Sequence, residues 1–125
     1  MNRTRLSIAV FAVGLLVATV PVRAHHSFAA QYDRNKPVTL TGAVTRLEWT
    51  NPHIYFYMDV KDASGKVTKW SIEGGAPNTL YRAGWRKDSL KIGEVVTVQG
   101  FLARDGSKLA NMSTVTLADG RRVFS

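Results

Sequence analysis

A chain of 125 residues leaves room for one ordinary domain, and the absence of cysteine excludes disulfides, thiolate chemistry and every cysteine-based metal site. The formal net charge of +8 falls to +5 once the three arginines within the first 24 residues are set aside. The remaining basic residues are scattered, which favours a solvated surface over a nucleic-acid interface. Nucleic acid is therefore not an expected partner.

Residues 1–24 have the pattern of a cleavable export signal. Two arginines give a positive start, Leu6 to Val20 is nearly all apolar, and the segment ends at Ala24, a small residue of the kind that signal peptidase requires. The apolar run of about 15 residues is shorter than the ~20 that a membrane-spanning helix needs. We therefore expect a periplasmic or secreted product that begins at His25 and has no integral membrane span. A second cut after Ala29 stays open.

The segment that follows the predicted signal lacks periodicity. Residues 25–36 are predicted to form an extended N-terminal arm, and residues 37–125 to form the folded domain. A strand pattern starts at Val38, and its buried parity changes side between Gly42 and Arg46. This change predicts a bend or bulge in a long first strand, which is how a small sheet curls into a barrel.

The next two segments predict a β-hairpin followed by a short helix. Ile54 to Val60 alternates apolar and polar residues, with Phe56 on the apolar parity, and a glycine-containing turn leads into Val67 to Glu73. Pro77 suits the first position of a helix of about two turns, and Gly84 suits its end.

Two further strands complete the predicted fold. Val95 to Gly100 places Val96 and Val98 on one face, Ala110 to Leu117 supplies a fifth strand, and Arg121 to Phe124 makes a short return. The order of three strands, one short helix and two strands (βββαββ) predicts an all-β domain with one short helix, a small OB-like antiparallel barrel. The alternative is another small antiparallel barrel or a sandwich.

Three histidines are the candidate metal ligands. Cleavage after Ala24 would give His25 a free α-amine beside its imidazole, and these two nitrogens can chelate one metal ion. His26 adds a third nitrogen, and His53 lies in the turn between the first two strands. Nitrogen donors favour Cu(II) over Ni(II) or Zn(II), so copper is the expected ion. The alternative is that the arm histidines are solvated side chains without a metal.

Trp49, Asn51 and Glu73 are the candidate residues for a small polar ligand. Asn51 precedes a proline, which restricts it to an extended conformation and could aim its amide at a ligand; the alternative is a plain turn. Glu73 belongs with Trp70, Trp85 and three tyrosines to a set that could form a stacking surface, although core packing explains most such rings. The chain contains neither a hydrolytic triad motif nor a phosphate loop, so the sequence does not indicate catalysis.

Short motifs are spread over nearly all of residues 25–125. They comprise His25 to Phe28, Thr41-Gly42 with Val44, Glu48-Trp49, Asn51-Pro52-His53, Trp70, Glu73, Gly84-Trp85 and Asp105-Gly106-Ser107. Together they resemble a family of small exported bacterial proteins of unassigned function, and the most specific part is the His-His start combined with the Trp-x-Asn-Pro-His element. The resemblance implies export and an OB-like fold. It implies no activity, substrate or cofactor.

The sequence therefore predicts an exported binding module that holds copper or a small polar ligand through the histidine arm and the turn that carries His53. The first alternative is a structural or interaction protein of the cell envelope, which would bind a protein or polymer through its barrel surface without a metal. A copper-dependent redox enzyme that uses His25 is a further alternative. It ranks lower because the sequence shows no residues that would shape a substrate site.

Overall fold

The longest element, strand β1 (Tyr32–Glu48), pairs with two different neighbours and so bends the sheet. In the computed structural model, which describes residues 27–124, the first part of β1 pairs with β4 (Val95–Ala103) and the last part with β2 (Tyr55–Lys61). The pairing with β2 shifts register between Val44 and Arg46. The predicted change of buried parity is therefore confirmed as a bulge.

The strands form one sheet that closes on itself. Strand β2 forms the predicted hairpin with β3 (Val67–Glu73), and β4 pairs with β5 (Leu109–Leu117), which carries the short β6 (Arg122–Val123). The sheet order is β3-β2-β1-β4-β5-β6, and a parallel pairing of three residues between β3 and β5 completes the barrel. Apart from this short parallel pairing the sheet is antiparallel, as the sequence predicts for a small OB-like barrel.

The core consists of the side chains on the inward parity of each strand. Phe56, Val96 and Val98 all face it, as predicted, and Phe56 is 0% exposed. Helix α2 (Pro77–Arg82) connects β3 to the loop before β4 and buries Leu80 against this core. Gly84 has a φ of 94°, a conformation that glycine adopts readily, and it follows the helix as expected.

The chain between residues 28 and 36 is more ordered than the predicted arm of residues 25–36. Phe28–Gln31 form a single helical turn, α1, and β1 starts at Tyr32, six residues before Val38. Arg104, which directly follows β4, forms two hydrogen bonds with this segment. Its backbone N–H donates to the Gln31 carbonyl at 2.9 Å, and its Nε donates to the Ala29 carbonyl at 2.7 Å. The described residues therefore contain two helices where one was predicted. Neither of these helices is long and apolar enough to cross a membrane.

Candidate functional site

The site is built around Glu73, the last residue of β3. Its register partners are Tyr55 on β2 and Asn111 on β5, and cross-strand partners share a face of the sheet. This is the outer face, because the neighbouring Ile72 points into the core. Glu73 is nevertheless only 4% exposed, and it is the one buried charged side chain among residues 27–124. A buried carboxyl group requires hydrogen-bond partners, and here both of its oxygens have one.

Tyr32 and His53 supply those partners from two distant parts of the chain. The hydroxyl of Tyr32, at the start of β1, donates to Oε2 of Glu73. Nδ1 of His53 contacts Oε1 of the same carboxyl group. His53 follows the cis peptide bond between Asn51 and Pro52 in the loop that joins β1 to β2. Three segments that are far apart in sequence therefore meet at one carboxyl group.

Two tyrosines beside Glu73 are held in their protonated form. Burial, followed by the hydrogen bond to Glu73, raises the pKa of Tyr32 well above its ordinary value. Burial, followed by the charge of Glu73, raises the pKa of Tyr55 to about 12. Both phenols are neutral at physiological pH, so Tyr32 has a proton to donate to the carboxyl group.

The contact with Glu73 decides which nitrogen of His53 is available for chemistry. Two donors on one carboxyl group fit an ionised, acceptor-only Glu73, so we assign a proton to Nδ1 of His53. In the neutral ring, Nε2 then carries the lone pair, and within the described part of the chain no hydrogen bond reaches it. A carboxylate that orients a histidine through its second ring nitrogen is the usual support of a metal-binding imidazole.

A cavity of about 520 Å³ lies beside this cluster. It is lined by the start of the described chain and α1, by the Glu73 cluster, by the two glycines after β3 and by the middle of β5. The lining residues are Ser27, Phe28, Gln31, Tyr32, His53, Glu73, Gly74, Gly75, Asn111 and Met112. The cavity thus combines a histidine, a carboxyl group, two amides and a thioether, a mixture that suits a small polar ligand or a metal ion.

The structure brings together two of the predicted site residues, His53 and Glu73, and places Trp49 elsewhere. The Trp49 ring packs 6.1 Å from the ring of Phe124 and lines a second cavity of about 380 Å³ with Lys87 and three apolar side chains. Asn51 is exposed and is not part of the lining of the first cavity. In the structure of residues 27–124, Trp49 and Asn51 therefore do not line the cavity beside Glu73.

The other two predicted metal ligands, His25 and His26, lie outside the described residues. The described chain begins at Ser27, which lines the cavity next to His53. Within residues 27–124, no three side chains from histidine, aspartate and glutamate are grouped closely enough to hold a metal ion. A metal at His53 would therefore need donors of another type or donors from residues 25 and 26.

The predicted aromatic surface is divided among separate environments. Trp70 is buried in the core, Trp85 packs edge to face on Phe124, and Tyr57 and Tyr81 each lie beneath an arginine. Only Tyr55 of this set adjoins Glu73. The rings stabilise the barrel and its surface at several places and do not form one stacking platform.

Sequence reasoning missed Tyr32 and Met112. Tyr32 fell within the predicted arm, where one aromatic residue precedes the polar run from Asp33 to Lys36. The isolated tyrosine beside this polar run was the only indication that the segment packs on the domain. A buried tyrosine usually needs a hydrogen-bond partner for its hydroxyl, so it also pointed to a polar contact. Met112 lies two residues after the buried Ala110 and gave no signal beyond strand alternation.

Comparisons with known proteins give a family and a fold. The model of a family described as a family of unknown function (DUF6152) matches residues 12–112. No curated protein matches the chain significantly.

Among solved structures, the mitochondrial single-stranded DNA binding protein Rim1 of S. cerevisiae has a TM-score of 0.52 and 12% identity, and the match covers 69% of this chain and 97% of that one. The N-terminal domain of PriB from Thermoanaerobacter tencongensis has a TM-score of 0.46 and 20% identity, over 67% of this chain and 97% of that one. At such low identity the likeness concerns the fold alone. The prediction of a small OB-like barrel is confirmed.

Proposed function

The chain belongs to this family of unknown function (DUF6152), and we propose that it is an exported binding protein that holds a copper ion in the cavity beside His53. In this proposal the ligands are the α-amine and imidazole of His25, the imidazole of His26 and Nε2 of His53. A small polar ligand that binds to the same cavity is the broader form of the proposal.

The observation that carries the proposal is the position of Ser27. Ser27 lines the same cavity as His53, and it directly follows His26 in the chain. Two residues of extended chain span about 7 Å, so the amine of His25 lies no farther than about that distance from Ser27. The covalent connection thus limits the distance between the arm nitrogens and His53.

The support behind His53 is the second argument. Glu73 contacts Nδ1, and Tyr32 donates to the other carboxylate oxygen, so the ring is held through Nδ1 while no hydrogen bond from residues 27–124 reaches Nε2. Such a carboxylate partner fixes the tautomer and raises the basicity of a ligating imidazole. A set of amine and imidazole nitrogens selects Cu(II) over the neighbouring divalent ions.

Export is part of the proposal because only cleavage after Ala24 creates the free amine at His25. Cleavage after Ala29 would remove Phe28, whose ring packs 5.4 Å from Tyr32 and 5.8 Å from Phe101. These contacts favour a product that keeps Phe28. The intact mass of the protein isolated from the cell envelope should correspond to a first residue His25. A start at Ala30 or Gln31, or retention of Met1, would contradict it.

Copper binding is tested by titration calorimetry on three forms of the mature chain, residues 25–125. The first form should bind one Cu(II) per chain and release protons, since the ligating nitrogens must be deprotonated. An extra residue before His25 separates the amine from its imidazole and should weaken binding strongly. The substitution His53→Ala should weaken it less, because the arm nitrogens remain.

A loop variant, Thr50→Ala, serves as the matched control for His53→Ala. Thr50 is exposed in the same loop and offers no imidazole, so this variant should bind copper as the unmodified protein does. Equal copper affinity in all forms, including the extended one and His53→Ala, would mean adventitious histidine binding and would overturn the proposal.

One observation favours the alternative of an interaction protein of the envelope. The second cavity, with Trp49 and Lys87, is bordered by Ile92, which is 62% exposed. An exposed apolar residue at the rim of an aromatic cavity suits contact with a protein or polymer. If copper binding fails the test above, retention of envelope components by the mature chain, and its loss in Trp49→Ala, would support this alternative.

A further inference from the structure

We infer that the second cavity, which contains Trp49 and Lys87, binds a small amphipathic carboxylate such as a fatty acid of medium chain length. The inference does not depend on the proposed copper site, because the two cavities share no lining residue. It gives this cavity a ligand of defined chemistry, whereas the envelope alternative treats it only as part of a surface for a protein or polymer.

The lining of this cavity combines an apolar wall with one positive charge. Leu47, Trp49, Leu90 and Ile92 form the wall, and Lys87 is the only charged residue of the lining. Ile92 is 62% exposed, so part of the wall is open to solvent where a ligand can cover it. The volume of about 380 Å³ is at the lower end of the range for small-molecule sites, and the lining is much smaller than the about 20–30 residues that one side of a protein interface contributes. These features favour a small ligand with an apolar tail and one negative charge.

The charge of Lys87 is available to such a ligand. Within residues 27–124, Lys87 forms no salt bridge, and no acidic residue lines the cavity. The neighbouring Arg86 is engaged elsewhere, since its guanidinium lies 3.7 Å from the centre of the Tyr81 ring and its Nη1 donates to the carbonyl groups of Tyr81 and Trp85. A single lysine offers one compact positive charge, which one carboxylate can neutralise.

The loop that carries Lys87 is held in place against β1. Ser89 closes a turn with Arg86, because its backbone N–H donates to the Arg86 carbonyl and its hydroxyl accepts from the Arg86 N–H, both at 2.9 Å. Farther along the loop, the N–H of Gly93 donates to the Val44 carbonyl of β1 at 2.7 Å. The cation and the end of β1 are therefore connected by backbone hydrogen bonds, so a ligand that binds between them needs to order little of the protein.

The test titrates the isolated protein with octanoate, octan-1-ol and octylammonium, which share one alkyl chain and differ in charge. Calorimetry measures the affinity for each. We expect octanoate to bind about threefold to fivefold more tightly than octan-1-ol, the effect of an ion pair that is partly exposed to solvent. Octylammonium should bind most weakly, because its charge has the same sign as that of Lys87.

Two lysine variants test the role of the charge. Lys87→Met keeps the apolar stem and removes the charge, so it should lower the octanoate affinity to that of octan-1-ol and leave the octan-1-ol affinity within about twofold. The matched control is Lys66→Met, since Lys66 is an exposed lysine in the turn between β2 and β3, outside the cavity lining. It should change neither affinity.

The indole N–H signals in NMR spectra of the unmodified protein locate the bound ligand. The Trp49 signal, identified by its absence in Trp49→Phe, should shift when octanoate is added, whereas the signal of Trp70, which is buried in the core, should not. Three results would overturn the inference: no binding of octanoate, equal octanoate affinity in Lys87→Met and Lys66→Met, or a shift that leaves the Trp49 signal unchanged.

Discussion

The substitution Tyr32→Phe removes one hydroxyl from the Glu73 cluster and leaves the ring in place. Tyr32 is 2% exposed, and its hydroxyl donates to Oε2 of the buried Glu73. A hydrogen bond to a charged group contributes about 1.5–3 kcal/mol, and its loss leaves an oxygen of the buried carboxyl group without its protein donor. We therefore expect the free energy of unfolding to fall by about 2 kcal/mol, which lowers the melting temperature of a domain of this size by roughly 10 °C.

The control for this experiment is Tyr57→Phe. The hydroxyl of Tyr57 donates to Oε2 of Glu48 at 3.2 Å on the partly exposed outer surface, where water can take its place. Its loss should cost less than about 1 kcal/mol. Urea unfolding of both variants, followed by circular dichroism, measures the difference. If Tyr32→Phe costs no more than Tyr57→Phe, Glu73 does not depend on Tyr32, and the description of the site as a buried carboxylate cluster is wrong.

Three further predictions concern the barrel and its tyrosines. Phe56→Ala should lower the free energy of unfolding, measured in urea, by about 3–5 kcal/mol. The control Val67→Ala changes a half-exposed side chain and should lower it by about 0.5 kcal/mol or less. A loss below about 1 kcal/mol for Phe56→Ala would contradict the place of Phe56 in the core. Gly100→Ala should lower the unfolding free energy by about 1–3 kcal/mol, because a Cβ there would lie 2.1 Å from the carbonyl oxygen of Asn111, and an unchanged melting curve would refute this close approach. The pKa of Tyr55, raised to about 12 from an unfolded value of about 10, means that the folded state holds its proton longer. The contribution of Tyr55 to stability is therefore complete below about pH 10 and is lost as the pH rises through about 12. Tyr55→Phe should consequently lose less stability than the unmodified protein between about pH 10 and pH 12. An identical pH dependence of the unfolding free energy in both proteins would argue against the raised pKa of Tyr55.

The elements that could be predicted from the sequence are those with local patterns. The alternation around Phe56 predicted β2, the turn after it predicted the hairpin with β3, and the change of parity after Gly42 predicted the bulge in β1. Each of these features is encoded within a few consecutive residues. The side chains of a strand alternate between two faces, so a strand with one buried face leaves its period in the sequence.

Features that depend on pairing between strands far apart in the chain leave no periodic pattern in the sequence. The first part of β1 runs through the polar residues 33–36, most of which are exposed, so no alternation marks it as a strand. Its pairing with β4 is irregular between Tyr32 and Pro37. The parallel contact of β3 with β5 joins residues that are 38 positions apart at Ser71 and Leu109. Neither pairing is specified by the residues next to it, and both become evident only when the sheet closes.

The Glu73 cluster shows why the site was found in parts and not as a whole. Glu73 has the outward parity of β3, which predicts an exposed side chain, but it is buried where Tyr32, from the segment that starts at Ser27, and His53 contact its carboxyl group. The same segment directly continues the two histidines at positions 25 and 26. The cover of the carboxyl group and the carrier of the proposed copper ligands are thus one stretch of chain. Disruption of the contact between Phe28 and Tyr32 should therefore have two effects at once. It should expose Glu73 and, under the proposed function, weaken copper binding.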